Sequence, residues 1–268
     1  YEGSPEEVTY IRSAEYIHKA MSWADEHGIK VLLDLHTAPG GQNGFDNGGL
    51  TGIQEWGKRE SETHYIETTV NVLEQITIDF SVYESLWGIE VLNEPSWGVR
   101  MSTLQDFYMD AYNVIREHNT DVWIGMHDGF RSYETTKWIP FFEQDLDKVF
   151  FDMHIYSVFT DEISSYTVQE HMDYVSNVHG NAISNYEGVV PVVIGEWSYA
   201  LPGTAFEGSD STERALIIEA YGNRQLNIYG QAQGWFFWNY KIDRDSHLEW
   251  DFRRLYESGV TPSNYLGE

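Results

Sequence analysis

Leu86-Trp87-Gly88-Ile89-Glu90-Val91-Leu92-Asn93-Glu94-Pro95 is an almost unbroken apolar run that stops at an amide, a carboxylate and a proline. Val192-Val193-Ile194-Gly195-Glu196-Trp197 has the same shape and also ends at a glutamate. A strand with one wet face alternates apolar and polar residues. A short run without alternation is covered on both faces, as in a parallel sheet lying under helices. Both stretches therefore read as buried parallel strands that deliver a glutamate at the C-terminal end.

Outward from these two, the pattern repeats along the chain. Tyr10, Ala14, Ile17, Met21 and Ala24 follow helical spacing, and Gly28 stops that helix. Val31-Leu32-Leu33 then reads as a strand, followed by a Gly/Asn-rich loop to about Gly52. Helices are expected over 64–80, 103–118 (capped by Ser102), 168–184 and 212–227. Strands are expected over 86–92, 122–126, 149–153, 192–195 and 234–237. Strict alternation of strand and helix predicts an α/β fold of the (β/α)8 TIM-barrel type. Six strands are recognisable, so the barrel is expected to be incomplete, forming one domain over residues 1–268. Exposed barrel edges would invite self-association.

Composition narrows the partners. The chain has 16 Lys plus Arg against 43 Asp plus Glu, a net charge of −27. Such a surface repels phosphate backbones and anionic membranes, so no nucleic-acid partner is expected. No apolar run approaches the ~20 residues of a membrane helix. The N-terminus lacks the basic and apolar segments of a signal peptide. There is no cysteine, which excludes disulfides and thiolate metal sites.

Active-site groups of such barrels sit where strands end. Reading those positions gives His36, Asn93 with Glu94, His127 with Asp128, His154 with Tyr156, Glu196 with Trp197, and Trp238. Two strand-end glutamates suit glycoside hydrolysis. That chemistry needs one carboxylic acid to protonate the leaving oxygen and one carboxylate to attack the anomeric carbon. Two alternatives compete. Asp34, His36, His127, Asp128 and His154 could hold a divalent metal in a barrel hydrolase. An aromatic cleft without turnover would make a carbohydrate-binding protein.

Asn93-Glu94-Pro95 together with Glu196 resembles glycoside hydrolase family 5. The run Asp34-Leu35-His36-Thr37-Ala38-Pro39-Gly40-Gly41-Gln42-Asn43-Gly44-Phe45-Asp46-Asn47 is similar to the exo-β-1,3-glucanase branch of that family. So is the ending from Trp250-Asp251-Phe252 to Gly259-Val260-Thr261-Pro262. The first two βα units of that branch are expected to be missing ahead of the first helix. The resemblance implies a secreted, retaining, exo-acting hydrolase of β-1,3-glucan that releases glucose and needs no cofactor or metal. It implies Glu94 as acid/base and Glu196 as nucleophile, with carboxyl groups ~5–5.5 Å apart. It further implies that Asn93 binds the sugar 2-hydroxyl. His36, His154 and Tyr156 would line the first subsite, and Asp46 and Asn47 would reach sugar hydroxyls. Phe45 and Phe159 would form an entrance clamp, and Trp238 a stacking floor. Plain readings stand beside these: a strand-end histidine can be a hydrogen-bonded core residue, and the aromatics can be loop or core packing.

Overall fold

In a computed structural model the described residues are 13–244 and 247–261. Tyr10 and Pro262, used above, lie outside them. The chain groups into two compact units, one of residues 1–129 with 146–149, the other of 130–145 with 150–268.

The first described element of the first unit is α1 (Ser13–His27). Met21 and Ala24 are buried on its inner face. Gly28 ends it at φ 66°, and Ile29 N–H bonds back to Ala24 O at 2.9 Å. That closure needs a left-handed residue, which glycine adopts without a Cβ clash. Strand β1 (Val31–Asp34) follows, then the long loop, the single turn α2 (Glu60–Thr63) and α3 (Tyr65–Phe80). Helix α3 buries Thr69, Leu73, Thr77 and Phe80, a stripe at helical spacing. Strand β2 (Leu86–Glu90) pairs in parallel with β1, Leu33 opposite Ile89.

Helix α4 (Met101–His118) buries Leu104, Phe107, Tyr108, Ala111 and Ile115. Its N-cap is Arg100 in extended conformation with no side-chain cap, so Ser102 lies inside the first turn and does not cap it. Strand β3 (Trp123–His127) pairs in parallel with β2, Ile89 opposite Ile124. Trp56 is fully buried here. Its indole N–H donates to Thr69 Oγ1 at 3.0 Å, and its ring meets Phe107 edge-on at 4.9 Å.

The second unit begins with α5 (Thr135–Phe142), a helix not expected from the sequence. Its Trp138, Phe141 and Phe142 are buried, and Trp138 and Phe142 both pack against Phe151. That residue belongs to β4 (Val149–Ile155). The turn α6 (Asp161–Ser164) precedes α7 (Val168–Tyr174), a π-helical turn at Val175–His179 and α8 (Gly180–Ser184), so the expected helix over 168–184 carries an internal π segment.

Strand β5 (Val192–Trp197) leads to α9 (Ser211–Tyr229) and β6 (Gly234–Phe237). Helix α9 starts with a reciprocal capping box between Asp210 and Glu213. Gly222 on α9 lets the Tyr199 ring lie against the helix backbone where a Cβ would overlap it. Helix α10 (Phe252–Glu257) follows. Strands β4, β5 and β6 are parallel, with Phe151 opposite Val192 and Val193 opposite Gly234. All six strands thus sit where the sequence pattern places them. Strands β4 and β5 run two residues further than expected, and β2 stops two residues earlier, at Glu90.

Candidate active site

In the first unit the strand ends are organised around Glu94. It is 5% exposed and has φ 46°. A left-handed backbone costs a non-glycine residue about 1–2 kcal/mol, and such strain persists only where surrounding contacts hold it. The Gly/Asn-rich loop supplies those contacts. Asn43 Nδ2 donates to Glu94 O at 3.0 Å, and Asn47 Nδ2 donates to Glu94 Oε2 at 2.6 Å. Gln42 Nε2 holds the preceding carbonyl, Asn93 O, at 3.1 Å. Asn93 is itself buried, and its Nδ2 has no hydrogen-bond partner among the described residues.

Around this centre the other candidates divide. His36 Nδ1 contacts Asp34 Oδ2 at 2.5 Å near the surface. Asp46 is exposed and accepts from the Asn47 backbone at 3.0 Å. Phe45 lies 5.9 Å from Trp97, ring to ring. His127 offers a nitrogen within 4.8 Å of a Glu94 oxygen. Its Nδ1 accepts the Gly129 N–H at 2.9 Å, so the ring proton belongs on Nε2. In this arrangement Nε2 presents a donor. Asp128, at 3.7 Å from Nδ1, is beyond hydrogen-bond range.

In the second unit Glu196 is 8% exposed and is reached by His154 of β4 and by Tyr156 just after it. Tyr156 Oη donates to Glu196 Oε2 at 2.7 Å. His154 Nδ1 is 3.7 Å from Oε1, and its Nε2 is 3.0 Å from Asp152 Oδ2. The register explains this convergence. Met153 faces Ile194 but His154 faces Glu196, so Gly195 is an extra, bulged residue. A bulge re-aims the side chain beside it. Glycine is required there, since a Cβ would overlap the Asp152 carboxylate.

An aromatic wall adjoins these groups. Tyr156 meets Phe159 at 5.1 Å and Trp250 at 5.6 Å, while Phe159 is 71% exposed. Trp238 is half-exposed and lines a cleft of about 320 Å³ with Asn239, Ile242, Asp243, Arg244, His247 and Trp250. Sequence reasoning missed Asn43, Asp152 and Trp250. Asp152 had a legible signal, because Asp152 and His154 alternate on one strand face as Asp34 and His36 do. Asn43, in the loop, and Trp250, at the end of a 3-10 turn, stand in the stretches that carry the family resemblance, but no strand or helix period marks either as a site residue.

The profile described as Cellulase (glycosyl hydrolase family 5) matches residues 6–243. The chain belongs to glycosyl hydrolase family 5. Among its family 5 relatives, a probable glucan 1,3-beta-glucosidase A of Aspergillus terreus is 29% identical over 92% of this chain and 65% of its own length. The glucan 1,3-beta-glucosidase of Pichia angusta is 31% identical over 92% of this chain and 64% of its own. This family 5 chain thus spans about 65% of the length of such a relative.

A rutinosidase from Aspergillus niger superposes with TM-score 0.69 at 16% identity, over 93% of this chain and 72% of that one. Endo-glycoceramidase II from Rhodococcus sp. gives TM-score 0.54 at 14% identity, over 88% of this chain and 61% of that one. These likenesses concern the fold, which is of the incomplete (β/α)8-barrel type, with six strands among the described residues. Among the described residues no helix is long and apolar enough to cross a membrane.

Proposed function

We propose that this family 5 protein is a retaining glycoside hydrolase that removes glucose from the end of β-1,3-glucan. The observation that carries the reading is the Tyr156 hydroxyl donating to Glu196 Oε2 at 2.7 Å. A donor of this kind favours the ionised carboxylate, the form a nucleophile needs. Glu94 Oε2 also accepts a donor, from Asn47 at 2.6 Å, so the acid/base role of Glu94 rests on the family resemblance of Asn93-Glu94-Pro95. Glu196 attacks the anomeric carbon while Glu94 gives its proton to the departing oxygen. Glu94 then takes a proton from water as that water's oxygen displaces Glu196. Two inversions return the original β configuration.

Substrate contacts follow from the remaining groups. The buried, unpartnered Asn93 Nδ2 is a donor for the sugar 2-hydroxyl. His36, Asp46 and His154 supply further polar contacts. Trp238, Phe45 and Phe159 offer apolar faces to pyranose rings, and the 320 Å³ cleft beside Trp238 suits a neighbouring sugar. The β-1,3 linkage rests on the relatives' names. Its place of work would be outside the cell, because a glucan polymer does not cross a bilayer.

The test is hydrolysis of laminarin oligosaccharides and an aryl β-glucoside by wild type and Glu196→Gln. Release of β-glucose by wild type, with the variant down by at least about 10³-fold, is expected, in line with removal of a nucleophile. Folded wild type that binds these sugars and releases nothing would replace this reading with a carbohydrate-binding one.

A further inference from the structure

The loop between β1 and α2 carries a hydrogen-bond chain whose polarity can be read link by link. The Phe45 backbone N–H donates to Asn43 Oδ1 at 2.8 Å. A backbone N–H can only donate, so this contact fixes which end of the Asn43 amide is oxygen. Asn43 Nδ2 then faces two acceptors, Glu94 O at 3.0 Å and Asn47 Oδ1 at 3.3 Å. With its oxygen turned to Asn43, Asn47 must present Nδ2 to the carboxylate, where it lies 2.6 Å from Glu94 Oε2.

The chain is built into the loop. Asn43 is 6% exposed and Gln42 is fully buried. Gln42 braces the same segment, donating to His36 O at 2.9 Å and accepting from Ala38 N at 3.1 Å. Gly48 is without a side chain where a Cβ would overlap Asn43 Oδ1. Two asparagines therefore clamp one residue at both ends, carbonyl and carboxylate, in the strained φ 46° conformation.

The consequence lies in the two oxygens of Glu94. An amide N–H directed at Oε2 makes that oxygen an acceptor and disfavours a proton on it. We propose that Asn47, oriented by Asn43, is a positioning residue that occupies Oε2 of Glu94 and so assigns proton delivery to Oε1. This rests on the reading of Glu94 as acid/base. When the glycosidic C–O bond breaks, the proton leaves Oε1 for the departing oxygen. On the return step Oε1 takes a proton from the attacking water. Oε2 keeps its Asn47 contact in both steps.

The experiment compares wild type, Asn47→Ala, Asn43→Ala and Asn43→Asp on aryl β-glucosides with one sugar and graded leaving groups. Asn43→Asp keeps Oδ1 for the Phe45 N–H, and hence the turn, while removing the Nδ2 donor. A strongly acidic phenol departs without a proton; a weakly acidic one needs it. The ratio of wild-type to variant kcat/KM should therefore rise by about ten-fold or more from dinitrophenyl to phenyl glucoside, as expected for one charge-assisted hydrogen bond.

A ratio that stays constant across the series would overturn the proposal, because a lost sugar contact or a loosened loop penalises every leaving group alike. If wild type hydrolyses none of these compounds, the functional reading fails and the carboxyl itself decides. By ¹³C NMR, Glu94 should titrate at higher pH in Asn47→Ala than in wild type. An unmoved titration would overturn the assignment of Oε2 independently of turnover.

Discussion

Acid should destabilise this protein in a way that one residue, His179, controls. His179 closes the π-helical turn Val175–His179 and is 6% exposed. Its Nδ1 lies 2.9 Å from Tyr229 Oη, and the Tyr174 ring meets it edge-on at 5.0 Å. Burial holds its pKa down to about 3 from 6.5, and burial pushes Tyr229 upward. Tyr229 therefore keeps its proton and donates, and His179 accepts as a neutral ring. The folded pKa lies below the unfolded one, so the unfolded chain binds more protons between the two values. Stability from this group is fully present above pH 6.5 and is lost as pH falls toward 3. The whole interval corresponds to about 5 kcal/mol at 1.36 kcal/mol per pH unit. Two pH units below 6.5, about 3 kcal/mol of it is gone.

The assay is urea unfolding followed by Trp fluorescence between about pH 7 and pH 4.5, wild type against His179→Gln. Glutamine can still accept from Tyr229 but does not titrate. Both proteins weaken in acid as their carboxylates protonate, and that part cancels in the difference. Wild type should lose about 3 kcal/mol more than the variant across this range. Parallel curves would refute the reasoning, because they would mean that the ring protonates without leaving its site.

Tyr156→Phe removes the hydroxyl that donates to Glu196 at 2.7 Å and should lower kcat/KM on an aryl β-glucoside by about 10–100-fold, the range for a hydrogen bond to a charged group. An unchanged value would remove Tyr156 from the support of Glu196 and count against the proposed nucleophile role. Gly195→Ala drives a Cβ into Asp152 and should cost about 1–3 kcal/mol of stability, as overpacking does, together with most activity. A thermal melt and an activity assay check both, and a fully active variant would show that the bulge does not aim Glu196. Asp210→Ala breaks the α9 capping box, in which Oδ1 accepts from Thr212 N at 2.8 Å and Glu213 N at 2.9 Å. About 1 kcal/mol of stability should be lost in urea with activity retained.

The strands were legible because burial on both faces leaves a plain mark, an apolar run that stops at a polar residue. Asn93-Glu94 and Glu196 stood out on that mark alone. Helix α5 was not legible. Trp138, Phe141 and Phe142 crowd its eight residues with aromatics, and Pro140 inside it argues against a helix at all. Packing of Trp138 on Phe151 at 5.0 Å holds it regardless. Ser102 matched a cap by type, yet the helix begins one residue earlier, at Met101; type alone does not set a boundary.

What the candidate site adds beyond strand ends is held by contacts far apart in sequence. A strand pattern has a period of two and says which face a residue takes. It cannot announce the bulge at Gly195, because an inserted residue reads as one more member of the run until its partner strand is known. Without that bulge, Ile194 and Glu196 would share a face in unbroken register. With it, Glu196 stands opposite His154 and within reach of Tyr156. The Asn47 contact with Glu94 spans 47 positions and depends on loop geometry that leaves no period. Sequence thus names the acidic residues through the elements that carry them. On the proposed reading their hydrogen-bond partners, Asn47 and Tyr156, tune their protonation, so substituting either partner should impair turnover even with both glutamates in place.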